Sequence, residues 1–139
     1  MDRPLHIEVK DSVFDPNQPP GTKQVYVRTE QNQYFYKVWL FLDGRDLPYV
    51  QSVTYTLHPT FSQPVRTVRR TPENPNCQLV LWTWSVFAVN TTIEDKQGGL
   101  YEVVHALSYD KQLAQEGIEY TYEDDALRAA ERPQLKRTR

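Results

Sequence analysis

From Leu5 to Tyr109 apolar side chains recur at every second position over run after run, and most are β-branched or aromatic. A period of two puts one set of side chains on each face of a pleated strand, so the chain reads as all-β. Leu5, Ile7 and Val9 alternate with polar neighbours. After Asp15-Pro16-Asn17 and Pro19-Pro20-Gly21 the alternation resumes from Gln24 to Thr29. Tyr34 to Leu42 is apolar on both faces, as a central strand would be. Asp43-Gly44-Arg45-Asp46 is a turn, and from Tyr49 to His58 Val53, Tyr55 and Leu57 oppose Ser52, Thr54 and Thr56. His58 to Pro64 is an ordered loop, because each proline fixes its own torsion and extends the residue before it. A short strand from Val65 to Arg70 and a Pro and Asn connection follow. Then comes a long run from Cys77 to Ile93 whose phase changes near Trp82 and Trp84, predicting a bulge or a break into two strands. Glu94 to Gly99 is a hairpin turn, and Leu100 to Tyr109 is the last strand.

Short strands with turns every 8 to 12 residues or so favour an immunoglobulin-like antiparallel β-sandwich of seven or eight strands, with a barrel as the alternative. A chain of 139 residues buries roughly 68% of its unfolded surface, enough for one core. Residues 1–113 are expected to form the sandwich and residues 114–139 a charged tail. Within that tail Asp124 or Asp125 would cap a short helix running to Arg132.

Sixteen basic and eighteen acidic residues leave a net charge of -2, so nucleic acid is not the expected partner. The lone Cys77 permits no internal disulfide and suits a reducing compartment. No apolar run is long enough to cross a membrane and no apolar signal segment follows Met1, so the expected location is cytoplasmic, without membrane contact. His6, His58 and His105 lack the spacing of zinc ligands, and Gly98-Gly99 lacks the setting of a phosphate-binding loop. Cys77 has no local activating base, and Ser62 lacks a Gly-flanked elbow. No metal, no cofactor and no enzymatic activity are therefore expected.

The loop holding His58, Thr60 and Phe61 joins an imidazole, a hydroxyl and a ring at the end of a rigid strand. Two readings stay open. Either these groups wall a small ligand slot, or Phe61 plugs the end of the sandwich while His58 bonds backbone.

The run Tyr49-Val50-Gln51-Ser52-Val53-Thr54-Tyr55-Thr56-Leu57-His58-Pro59-Thr60-Phe61-Ser62-Gln63-Pro64-Val65-Arg66 resembles the core motif of YEATS domains. There an aromatic-Val-x-x-Val-x-aromatic-x-Leu-His strand leads into x-Ser/Thr-Phe, then x-x-Pro and a basic residue. The resemblance spans about residues 22 to 110. It implies an immunoglobulin-like, non-enzymatic reader of acetylated or crotonylated lysine, with the flat acyl amide held between rings. By matching position His58 would orient the loop, Thr60 would supply a hydroxyl and Phe61 one ring, with Tyr34 as a flanking ring. Eukaryotic members carry a Gly-Trp/Tyr-x-Gly/Glu-Phe segment where this chain has Leu81-Trp82-Thr83-Trp84-Ser85, without the glycines. Alignment then offers Trp82 as the opposing ring, with Trp84 two residues on. Prokaryotic YEATS-like domains diverge in this way, which points to a peptide-binding module in a bacterial signalling or defence protein. The alternative is a scaffold or oligomerisation domain with a vestigial slot.

Overall fold

The computed structural model describes residues 5–122. Nine strands form among the described residues: β1 (Glu8–Ser12), β2 (Gln24–Glu30), β3 (Gln33–Asp43), β4 (Val50–Thr56), β5 (Val65–Arg69), β6 (Leu79–Thr83), β7 (Ala88–Asp95), β8 (Leu100–Ala106) and β9 (Glu119–Tyr122). A 3-10 turn, Leu47–Tyr49, precedes β4, and one short helix, α1 (Tyr109–Leu113), follows β8.

The strands pack as two sheets, the expected sandwich. In the first, β3 is the spine. Its residues Tyr36 to Leu40 pair with β6, while Gln33 to Tyr36 pair with β2 and Trp39 to Asp43 with β1. Tyr36 has partners in both β2 and β6, and Trp39 in both β1 and β6, so β1 and β2 lie end to end along one edge and β6 takes the other. The second sheet runs β5-β4-β7-β8, all antiparallel, with a register shift between Val50 and Ser52. Sequence alternation explains which residues meet between them. Val38, Leu40 and Leu42 of β3 and Val53 and Tyr55 of β4 are fully buried, with Val25, Val27 and Ile93 beside them.

The run from Cys77 to Ile93 does break in two, and the break is a change of sheet: β6 belongs to the first and β7 to the second. Seven or eight strands were expected and nine are present, because β9 lies in the segment read as tail. It pairs parallel to β2, Gln24 to Glu119 through Val27 to Tyr122, and all four of its residues are exposed. Backbone pairing, the Gln24 side chain bonding the Glu119 carbonyl and the Thr121 hydroxyl, and the Tyr34 ring against Tyr122 hold this strand, so it carries no buried face to betray it. The helix expected from Asp124 or Asp125 to Arg132 lies outside the described residues.

Polar links tie the sheets together. The Asp11 side chain on β1 is fully buried; it meets His105 Nε2 of β8 at 2.6 Å and accepts the Ser108 backbone N–H at 3.1 and 3.0 Å. Tyr55, fully buried on β4, donates its hydroxyl to the Cys77 carbonyl at 2.8 Å, across to the chain entering β6. Both of these buried polar groups thus have partners, as burial demands.

Asp11→Ala leaves the Ser108 N–H and the imidazole unpartnered, and we expect a loss of about 3 kcal/mol in urea unfolding. At Gly44, with φ of 143°, a Cβ would be driven into the His6 carbonyl oxygen. Gly44→Ala should therefore lower the melting temperature by several degrees, whereas the same change at Gly98, where a Cβ meets nothing within 4 Å, is limited to the strain of its positive φ.

Candidate functional site

One end of the sandwich gathers two loops. The first leaves β4 at Leu57, whose N–H donates to the Pro64 carbonyl at 2.7 Å and so closes residues 58–63 into a loop. Inside it Phe61 N–H donates to the His58 carbonyl at 3.0 Å, a tight turn. The imidazole organises the same turn: the Thr60 N–H donates to His58 Nδ1 at 3.2 Å and the Thr60 hydroxyl lies 2.9 Å from that nitrogen. His58 Nδ1 thus gathers both the backbone N–H and the hydroxyl of Thr60, which pins the turn.

The second loop joins β6 to β7. Thr83, buried at the end of β6, donates its hydroxyl to the Ser85 carbonyl at 3.0 Å and accepts the Ser85 N–H at 3.3 Å, which turns the chain out of the strand. Tyr109 of α1, also buried, supports the turn by donating its hydroxyl to the same Ser85 carbonyl at 2.9 Å. Burial pushes the Tyr109 phenol up to about 12. Phe87 is fixed behind the turn, its carbonyl accepting the Leu107 N–H at 3.0 Å.

Between the loops lies a hollow of about 50 Å³ lined by His58, Thr60, Phe61, Thr83, Trp84, Ser85 and Phe87. Phe61 is half-buried, its ring 5.7 Å from that of Phe87, which also meets the His58 ring at 5.8 Å. Trp84 is 42% exposed and is braced edge-on by Phe35 at 5.4 Å. A rigid imidazole and hydroxyl on one wall, rings on two others and an outlet to solvent make a site for a small, flat, neutral group. Its volume is about a third of the ~150 Å³ cavity that accepts a benzene ring, so only a few heavy atoms fit.

Of the residues singled out from sequence, the structure brings His58, Thr60, Phe61 and Trp84 to this hollow. Trp82 and Tyr34 are placed elsewhere. Trp82 sits within β6, paired with Lys37, and the Arg28 guanidinium lies 4.2 Å over its ring. Trp84 stands just past the strand end and so reaches the rim. Tyr34 packs edge-on against Tyr122 at 6.2 Å. Sequence reasoning did not single out Thr83, Ser85 and Phe87 as site residues, because the phase of their run changes near Trp82 and Trp84. Tyr109 was read only as the end of a strand, and nothing local marks its reach to Ser85. Among the described residues no three metal-ligating side chains converge, and no helix is long and apolar enough to cross a membrane.

Comparison with known proteins locates the same region. A family model described as the prokaryotic YEATS domain matches residues 34–108. Transcription initiation factor TFIID subunit 14 of Schizosaccharomyces pombe is 37% identical over 76 residues, which is 53% of this chain and 30% of that protein; the match therefore spans less than a third of the relative's length. Among solved structures, the Yaf9 YEATS domain recognizing an H3K122suc peptide superposes with a TM-score of 0.52 at 17% identity, covering 78% of this chain and 75% of that one. The Yaf9 YEATS domain bound to H3K27ac gives 0.48 at 16% identity, covering 78% of each chain.

Tyr109→Phe should loosen the Thr83–Ser85 turn without opening the core, visible as faster amide exchange at residues 84–87. The same variant tests the buried phenol. Its pKa is about 10 unfolded and about 12 folded, so its share of stability is whole below pH 10 and is lost as pH rises towards 12. The fall in melting temperature over that window should be shallower for Tyr109→Phe than for the wild type.

Proposed function

We propose, from the premise that this chain belongs to the prokaryotic YEATS domain family, that it is a non-enzymatic reader whose hollow accepts the acyl end of a modified lysine in a peptide or protein. The observation that carries this reading is the hollow itself, walled by Phe61 and Trp84 with the His58–Thr60 pair between the loops. Acylation removes the lysine charge and leaves a planar amide, so an aromatic slot gains ring contact without having to desolvate an ammonium. The Thr60 hydroxyl, held beside His58 on the wall of the hollow, supplies the polar group that bonds the acyl amide. The hollow's size favours acetyl and other short acyl groups over bulkier ones. Cys77 is buried with its thiol pushed up to about 11 by that burial, which supports its reading as a packed side chain and not a nucleophile.

The Yaf9 structure named above recognizes an H3K122suc peptide, which supports a peptide as the ligand. Membership of the prokaryotic branch supports a bacterial signalling or defence protein as the setting and the cytoplasm as the place where the reader works. A succinyl group would bring a carboxylate to a hollow whose lining side chains include no Lys or Arg, so a neutral acyl group fits better here.

The test is titration with acetyl-lysine and plain lysine forms of one peptide, followed by tryptophan fluorescence. The acetylated form should bind and the plain form should not. Trp84→Phe should remove the optical signal while Trp82→Phe keeps it. Phe61→Ala and Trp84→Ala should abolish binding with only small shifts in melting temperature, and Thr60→Val should weaken it by about threefold to tenfold. If Phe61→Ala unfolds the domain, or if Trp82 carries the signal, the ring plugs the core and the slot reading fails.

A further inference from the structure

We infer that the unpaired edge of β5 is a second part of the peptide site, and that it takes an acidic flank of the acylated peptide as an added strand. In joining this edge to the hollow, the inference rests on the acyl-lysine reading given above. The placement follows from topology. β1 meets β8 through Asp11 and His105, so those two strands share one side of the sandwich. β6 takes the opposite edge of β3 from β1, and β5 lies at the opposite end of its sheet from β8, so β5 and β6 share the other side. The hollow stands at the end of that side, because its walls are the loop that enters β5 through Pro64 and the turn that leaves β6 at Thr83. At ~3.4 Å per residue, the five residues of β5 carry the edge about 17 Å from the hollow.

That edge has backbone groups to offer. Leu57 N–H donates to the Pro64 carbonyl and Arg70 N–H to the Gln51 carbonyl, and the register between them runs without a shift. Bonded and non-bonded pairs alternate along an antiparallel ladder. Residues 64, 66, 68 and 70 therefore bond to β4, while Val65, Thr67 and Arg69 turn their N–H and C=O groups to the open side. Among the described residues β5 pairs with β4 alone, and no proline or bulge interrupts it. Its side chains then select the partner. Arg66, Arg69 and Arg70 stand within one short stretch, and none has a carboxylate at ion-pair distance among the described residues. Arg66 and Arg70 each commit Nε to a backbone carbonyl, those of Gln63 and Pro75, which fixes the guanidinium and leaves its two terminal nitrogens for a carboxylate. Arg69 is exposed on the other face of the strand, with Val65, 60% exposed, beside it. A second copy of β5 would set arginine against arginine. An extended segment carrying Asp or Glu answers both the open amides and the charge. Arginines on an edge also deter stray strand pairing, and the experiment separates that role from capture of an acidic segment.

Three ligands separate the edge from the hollow: a blocked single acetyl-lysine, an acetyl-lysine peptide whose flanks alternate Glu with Val, and the same peptide with Gln in place of Glu. Binding is read by NMR amide shifts. The single acetyl-lysine should shift residues around the hollow only. The Glu peptide should also shift Val65, Thr67 and Arg69, and at low salt it should bind about fivefold more tightly than the Gln peptide. That preference should shrink as salt is raised and fall to about twofold or less in Arg69→Glu. Methylating the backbone nitrogens of the Glu flanks should abolish the shifts at the three edge residues, because an added strand needs those donors. Equal affinity of the Glu and Gln peptides, or a preference that Arg69→Glu leaves unchanged, overturns the edge while a bound single acetyl-lysine leaves the hollow standing. If the single acetyl-lysine fails to bind and the Glu peptide still shifts the edge, the acyl-lysine reading falls and the edge stands by itself. If none of the three binds, both fall.

Discussion

The eleven residues of β3 organise the first sheet because both of their edges are paired and both of their faces are used. One edge takes β6, and the other is shared end to end by β2 and β1. Inward, Val38, Leu40 and Leu42 supply the core. Outward, Trp39 is 4% exposed, covered from above by Lys37 and flanked by Tyr26 at 6.3 Å. The strand also begins before β6 ends, so the β2–β3 hairpin projects past Thr83. Phe35 on that projection is what braces Trp84 at the hollow. A shorter β3 would leave the indole unsupported, so the length of one central strand sets the geometry of the site.

The two walls of the hollow are made rigid by different chemistry. On the β4–β5 side, prolines at 59 and 64 limit the backbone and His58 gathers the Thr60 N–H and hydroxyl on one nitrogen. On the β6–β7 side there is no proline, and rigidity comes from the Ser85 carbonyl accepting two hydroxyls, those of Thr83 and Tyr109. Because Tyr109 follows β8, the second wall is held by a residue 24 positions along the chain. The second wall of the hollow is therefore tied to the docking of α1 after β8.

Much of this was legible in the sequence, for reasons that also mark where legibility stops. Strand β4 is half-buried, so its period of two is clear from Val53 on: Val53, Tyr55 and Leu57 are buried while Thr54 and Thr56 are not, but Ser52, expected on the same side as those threonines, is buried too, beside the register shift between Val50 and Ser52. The Pro-rich loop after it constrains its own backbone, and the motif around His58 follows from that. Strand β9 hides no face, and its brief Tyr120-Thr121-Tyr122 alternation is set among the acidic residues of the segment read as tail. Trp82 and Trp84 are indistinguishable by type, and choosing between them requires knowing that β6 stops at Thr83. Asp11 and His105 are 94 residues apart and meet only through the packing of two sheets, a contact no local pattern contains. Local periodicity thus reveals elements, while the inventory of a site depends on where elements end.

The missing glycines are explained by the same strand end. In the family motif they would let the backbone turn and approach a ligand closely, which is what a residue with positive φ allows. Here none of residues 81–87 has a positive φ; among the described non-glycine residues that conformation occurs at Gln31, Asn32 and Cys77. The turn after β6 is made instead by the Thr83 side chain standing in for backbone, with its hydroxyl donating to the Ser85 carbonyl and accepting the Ser85 N–H. A glycine is not required to turn the chain, and a hollow survives its loss. The cost is space. Thr83 and Ser85 line the wall with side-chain atoms of their own, and Trp84, at the motif's second glycine position, brings an indole, in keeping with a hollow of only about 50 Å³. The turn after β6 and the small size of the hollow are then two consequences of using side-chain in place of backbone chemistry at this strand end.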